Sequence, residues 1–125
     1  KQVIRGKDIP ESNLPFSPGI LSGGFLFISG QASVDMEGKI VTESFEKECR
    51  RSFSNLRMIL EGAGLGLQDV VQVRAYVGRE EDLATYNQIY REFFHAPFPA
   101  RSTLIGCIGS VLKFEVDAIA RCHTS

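Results

Sequence analysis

The stretch Thr42-Glu43-Ser44-Phe45-Glu46-Lys47-Glu48-Cys49-Arg50-Arg51-Ser52-Phe53-Ser54-Asn55-Leu56-Arg57-Met58-Ile59-Leu60-Glu61-Gly62-Ala63-Gly64, followed by Asp69-Val70-Val71-Gln72-Val73-Arg74-Ala75-Tyr76-Val77, decides the fold class. In the first segment Phe45, Cys49, Phe53, Leu56, Leu60 and Ala63 recur at spacings of three or four, which places them on one face of a helix. Thr42 is the expected N-cap, Glu43 and Glu46 sit where the helix dipole favours acids, and Gly64 supplies the stop. Lys47, Arg50 and Arg57 fall off the stripe and are expected in solvent. The second segment changes to period two, which predicts a strand with Val71, Val73, Ala75 and Val77 on one face. Val70, Gln72, Arg74 and Tyr76 take the other.

Working toward the N-terminus, Phe25-Leu26-Phe27-Ile28-Ser29-Gly30-Gln31 reads as a buried strand, preceded by a loop punctuated by Pro15, Pro18, Gly19, Gly23 and Gly24. Asp35-Met36-Glu37-Gly38 reads as a turn into Lys39-Ile40-Val41, completing a short β-meander. Working toward the C-terminus, Arg79 to Asp82 form the acidic start of a second helix, with Leu83, Tyr86, Ile89, Tyr90 and Phe93 on one side and Pro97 and Pro99 beyond its end. Arg101 to Ile108 and Val111 to Arg121 read as two neighbouring strands around Gly109-Ser110.

The resulting order is β-β-β-α-β-α-β-β, an α+β pattern with both helices packed on one face of the sheet. Tyr76 and Ile119 leave the opposite face partly apolar, so a partner is expected there and a homo-oligomer with it. No internal repeat is visible, and residues 1–125 are expected to form a single domain.

Of the 125 residues, 43% are hydrophobic and 23% charged, the balance of a globular domain. The net charge of −1 and a pI near 6.1, with both signs interspersed, offer no basic stripe for nucleic acid or anionic lipid. Small molecules or protein partners are therefore expected. No apolar run approaches the roughly 20 residues that span a bilayer, and Lys1-Gln2-Val3-Ile4-Arg5 lacks the apolar core of a secretion signal. A soluble protein is expected.

The 3 cysteines form no C-x-x-C pair, and an odd count fits a reducing compartment, which makes the cytoplasm the expected location. Residue 1 is Lys, so an organelle reached through a removed transit segment stays open. Cys49 and Cys107 read as packing positions. His95 and His123 are the only histidines and lack ligand spacing, so no metal site is expected.

Two charged residues carry the chemical possibilities. Arg101, in Pro99-Ala100-Arg101-Ser102, presents a planar fork of donors matching a carboxylate. Glu115, in Lys113-Phe114-Glu115-Val116-Asp117-Ala118-Ile119-Ala120, can hold or activate a water. Strand alternation puts Glu115, Asp117 and Ile119 on the face away from the helices. Taken as residue types alone, the two are equally a surface Arg paired with an acid and a solvated carboxylate.

The segments Ile28-Ser29-Gly30-Gln31, Ala84-Thr85-Tyr86-Asn87, Phe98-Pro99-Ala100-Arg101-Ser102 and Phe114-Glu115-Val116-Asp117-Ala118-Ile119-Ala120 together resemble the YjgF family, also called Rid, for reactive intermediate deaminase. The resemblance runs over essentially the whole chain. It implies a chorismate-mutase-like fold assembled as a homotrimer, with a central barrel and clefts between subunits. It also implies a cofactor-independent hydrolase that converts enamines or imines of the 2-aminoacrylate type to a 2-keto acid and ammonia.

By the same resemblance Arg101 matches the arginine that binds the substrate carboxylate, Glu115 the residue that positions water, Ser29 and Gly30 the pocket wall, and Asn87 an asparagine near the cleft. Two positions depart from the family pattern: Phe16 follows Pro15 where members have Tyr, and Thr103 stands where Cys is common. Both are expected at the substrate, and both put the aminoacrylate specificity in question. The alternative is a non-catalytic trimer that binds a keto acid or regulates. A ribonuclease or translation inhibitor, a role ascribed to some relatives, fits less well without a basic patch.

Overall fold

Ser44, two residues later than expected, caps the first helix. Its hydroxyl accepts the Lys47 N–H at 3.3 Å, while Thr42 stays outside the helix. Helix α1 then runs Phe45–Gly62 and ends through Gly64, whose φ of +75° lets the Leu65 N–H reach back to the Leu60 carbonyl at 2.8 Å. The structure, a computed structural model, describes residues 1–6, 9 and 12–123.

Six strands form one mixed sheet in the order β1-β2-β3-β6-β4-β5, where β1 is Gln2–Val3, β2 Gly19–Ser22, β3 Phe25–Gln31, β4 Val70–Val77, β5 Ala100–Ile105 and β6 Phe114–Arg121. Helix α2, Leu83–Phe93, follows a short 3-10 turn at Glu80–Asp82 and carries the chain between the parallel strands β4 and β5. All other pairings are antiparallel. Both helices lie on one face, as the element order required.

Four local expectations are corrected. Gly19–Ser22 is a strand and not loop, because Gly23 and Gly24, both at positive φ, make a two-residue hairpin turn between β2 and β3. Lys39–Val41 contributes only an isolated bridge, Val34 to Ile40. Val71 is exposed, since a register shift between Val70 and Gln72 against β6 turns its side chain out and leaves Val73, Ala75 and Val77 buried with Val70. Cys107 is exposed as well, on the loop that leaves β5 at Gly106. Cys49 is buried as expected, and burial pushes its thiol up.

The correction that bears on function is strand adjacency. β5 and β6 are not neighbours; β4 lies between them, parallel to one and antiparallel to the other. The side chains explain the order. β6 alternates buried and half-buried positions along Phe114–Ala120 and so suits the middle of the sheet, whereas β5 is exposed at nearly every position and caps the edge.

The core lies between the helices and the inner face of the sheet, centred on Phe53, Leu56, Tyr86, Val73 and Phe114, all without solvent exposure. Within it sits one carboxylate. Glu48, 1% exposed, accepts the Glu43 N–H, the Lys113 N–H and the Lys113 ammonium, each within 3.1 Å. It ties the first turn of α1 to the residue just before β6. Removing it strands two backbone donors and half-buries an unpaired ammonium, so Glu48→Ala is expected to lower the unfolding free energy by about 3 kcal/mol. Urea denaturation checks this, and a loss below about 1 kcal/mol would show that water replaces the carboxylate.

Candidate active site

Register assigns the candidate residues to two faces. Glu115 stands opposite Tyr76 on the outer face, whereas Arg101 stands opposite the buried Val73 on the helix side. The two charges therefore occupy opposite sides of the sheet, with β4 between their strands. Within one chain they line separate cavities.

The outer cavity, about 510 Å³, gathers Phe16, Ser29, Gly30, Glu115, Arg74 and Asp117. Ser29 and Gly30 fall in the register shift between Ile28 and Gln31, where β3 bulges away from β6. The Ser29 hydroxyl donates to the Ser17 carbonyl, and the Ser29 N–H to the Pro18 carbonyl at 2.9 Å. These bonds pin the loop that carries Phe16, whose ring is half exposed at the cavity mouth.

Gly30 leaves room for the carboxylate beside it. A Cβ at that position would stand 2.5 Å from Glu115 Oε2 and 2.9 Å from its carboxyl carbon, well inside contact distance. Burial raises the Glu115 carboxyl above the ordinary carboxylate range, and the Asp117 charge two residues along the same face adds to the shift. Asp117 itself is paired: Arg74 Nε donates to its Oδ2 at 3.2 Å and the Tyr76 hydroxyl at 3.0 Å. Among the described residues, no hydrogen bond or ion pair engages the Glu115 carboxylate. It is held next to a glycine and left with its oxygens open to the cavity.

The inner station lies at the junction of α2 and β5, beside a small cavity of about 120 Å³ lined by Asn87, Tyr90, Arg91, Phe98 and Arg101. Arg101 Nη2 donates to Asn87 Oδ1 at 2.7 Å. Its guanidinium carbon lies 4.7 Å from the Tyr90 ring centroid and 5.1 Å from that of Tyr86, both cation–π distances. The Thr103 and Tyr86 hydroxyls are 3.2 Å apart. Burial raises both phenols, Tyr90 to about 12, so they stay neutral beneath the cation.

The seven candidates are thus divided, with Phe16, Ser29, Gly30 and Glu115 on the outer face and Arg101, Asn87 and Thr103 on the inner. Sequence reasoning placed Tyr86 and Tyr90 in the core, which is right, and missed that they back the guanidinium. It also missed the pairing of Arg74 with Asp117, although period-two alternation on β4 and β6 puts both on the outer face. Among the described residues, no group of His, Cys, Asp or Glu is placed to hold a metal ion.

Two helices on one face of a mixed sheet in this strand order define a YjgF/Rid-like α+β protein. Residues 6–122 match the profile of the family described as Endoribonuclease L-PSP, and the chain belongs to that family, YjgF/Rid/RutC. A RutC family protein of Pyrococcus horikoshii is 35% identical over 122 residues, covering 96% of this chain and 97% of its own. The 2-iminobutanoate/2-iminopropanoate deaminase of Salmonella typhimurium is 33% identical over 123 residues, covering 95% and 96%. The crystal structure of Escherichia coli TdcF with bound serine superposes with a TM-score of 0.88 at 29% identity, covering 98% of this chain and 100% of that one.

Proposed function

We propose that this protein hydrolyses the imine or enamine of a 2-amino acid to a 2-keto acid and ammonia, in a cleft completed between two copies of the chain. The observation that carries the reading is the pair of stations: a guanidinium with N–H donors to spare on one face, and a half-buried carboxylate with no hydrogen-bond or ion-pair partner among the described residues on the other. Deaminase-named relatives at 30–33% identity support the chemistry, and a relative that holds serine supports a small ligand bearing an α-carboxylate. The net charge of −1 supports a small acid over RNA.

In this mechanism Arg101 of one copy anchors the substrate carboxylate. Glu115 of the next takes a proton from water as the oxygen attacks the imine carbon and passes it to the nitrogen, giving a carbinolamine. It then takes the carbinolamine hydroxyl proton and delivers it to the nitrogen as the C–N bond breaks. Water supplies the keto oxygen, and ammonia leaves with the water's two hydrogens. No cofactor is required. The carboxyl's raised affinity for protons brings it nearer to neutral, where one group serves as both base and acid.

The open apolar face, with Phe27 exposed by 44% beside half-buried Ile119, is the surface for association, and a trimer is the proposed assembly. A second reading rests on Phe16: with a phenyl ring at the cavity mouth, Ser29 is the one hydroxyl among the cavity residues named above, which suits a trimer that binds a keto acid without turnover.

A dehydratase that releases 2-aminoacrylate or its four-carbon homologue provides the test, with imine decay followed spectroscopically. Acceleration by the wild type is expected. Arg101→Ala should lose about tenfold to hundredfold in kcat/KM, the worth of a charge-assisted pair. Refolding a mixture of Arg101→Ala and Glu115→Gln chains should restore part of the activity, because some clefts then hold both wild-type residues. No acceleration by the wild type, with 2-oxobutanoate still bound, selects the binding reading; no restoration on mixing rejects the shared cleft.

A further inference from the structure

Arg101 lies on an exposed edge strand, where a free guanidinium samples many rotamers and loses that freedom on binding. The structure restrains it from three sides. Asn87 takes one of its five N–H groups, and the rings of Tyr86 and Tyr90 back its plane. Tyr86 is fully buried, and its hydroxyl lies 3.2 Å from the hydroxyl of Thr103 and also within hydrogen-bonding reach of the Arg101 side chain.

Thr103 stands two residues after Arg101 on the same strand and the same face, opposite buried Ala75 as Arg101 is opposite Val73. The contact thus joins α2, which carries the ring, to β5, which carries the cation. It is also the bond that occupies the Thr103 hydroxyl, a group the sequence reading placed on the substrate.

We propose that Tyr86 and Thr103 are positioning residues for the carboxylate anchor: their mutual hydrogen bond sets the spacing of α2 and β5, and with it the tilt of the ring on which the Arg101 guanidinium rests. The role of Thr103 is then indirect, through Tyr86 and Arg101, rather than contact with substrate. This inference rests on the reading of Arg101 as the carboxylate anchor. It assigns to the hydroxyl pair an effect on ligand affinity with little effect on the chemical step, since water activation belongs to Glu115 on the other face.

The experiment titrates 2-oxobutanoate into the assembled protein by NMR or calorimetry, with urea denaturation of every variant alongside. Tyr86→Phe keeps the ring and removes its hydroxyl; Thr103→Val keeps the shape and removes the other. Each should raise the dissociation constant roughly three- to tenfold, the worth of one hydrogen bond. KM in the imine assay should rise in parallel and kcat stay within about twofold. Thr103→Ser should restore wild-type affinity, and the double variant should be no worse than Tyr86→Phe alone, because that substitution already removes the bond the two hydroxyls share. Should Tyr86→Phe fail to assemble, the Thr103→Val and Thr103→Ser pair carries the test.

Wild-type affinity in Thr103→Val and Tyr86→Phe, with or without a loss of stability, overturns the proposal while Arg101→Ala still weakens binding. Wild-type affinity in Arg101→Ala removes the anchor itself, and the proposal with it.

Discussion

Glu115→Gln is expected to lower kcat/KM by about two to four orders of magnitude, the range for loss of a general acid–base group. The substitution keeps the size of the side chain and its place beside Gly30, where no larger neighbour fits without displacing it. It removes the capacity to accept a proton from water. Steady-state imine decay measures the effect, and a loss under tenfold would mean that water is activated elsewhere in the cleft.

The same variant carries a stability prediction of defined sign. Glu115 holds its proton more tightly in the folded protein than in the unfolded chain, because burial and then the Asp117 charge disfavour the anion. Its ionised form therefore opposes folding. That penalty is absent below the ordinary carboxylate range and complete above the raised folded value. Glu115→Gln should consequently be more stable than the wild type at neutral pH, with the difference shrinking as the pH falls through the carboxylate range. Urea midpoints of both proteins across that range give the sign directly; a variant less stable at neutral pH would show that the anion is held by favourable contacts. Activity should fall on the acid side at a higher pH than an ordinary glutamate would give.

Phe53→Ala should cost about 3–5 kcal/mol of unfolding free energy, the usual result of truncating a buried aromatic. Phe53 has no solvent exposure and touches four rings, two on α2, one at its C-cap and one on β6. It stacks on Phe93 at 5.1 Å, meets Tyr90 and Phe94 edge-on at 6.0 and 5.8 Å, and tilts against Phe114 at 5.3 Å. These contacts join α1 to α2 and to the first residue of β6. Relaxation of so many rings around one cavity is constrained, because Tyr90, Phe94 and Phe114 each also pack on another ring. Phe53→Leu refills most of the volume and should recover more than half of the loss. Denaturant unfolding with an unchanged m-value is the measurement, and a cost below about 1.5 kcal/mol would indicate a core that collapses freely. Tyr90 lies under Arg101 and Phe114 precedes Glu115, so ligand affinity should weaken along with stability.

Much of this architecture was legible in residue spacing. The stripe from Phe45 to Leu60 is the buried face of α1, and Tyr86, Ile89 and Tyr90 are that of α2. The alternation of Glu115, Asp117 and Ile119 against Phe114, Val116 and Ala118 is the true division of β6. Misreadings arose where a distant segment decides. Gly23-Gly24 looked like loop punctuation because a hairpin turn is recognisable only when both flanking runs pair. Val71 looked buried because strict alternation ignores a bulge, which exists only relative to the partner strand.

The sequence by itself determined the two helices, the caps of the first to within two residues, the faces of β6, and the residue types that can bind an acid and activate water. These follow from interactions between residues a few positions apart, whose geometry the chain carries wherever it goes. Only the tertiary structure decided that β6 inserts between β3 and β4 while β5 takes the edge. That choice depends on pairing segments tens of residues apart and on burying the more apolar strand on both sides. It sends Arg101 to the helix side and Glu115 to the open face, so the two groups that suggested a site in one chain become separate stations, joined in the proposed function by a second copy.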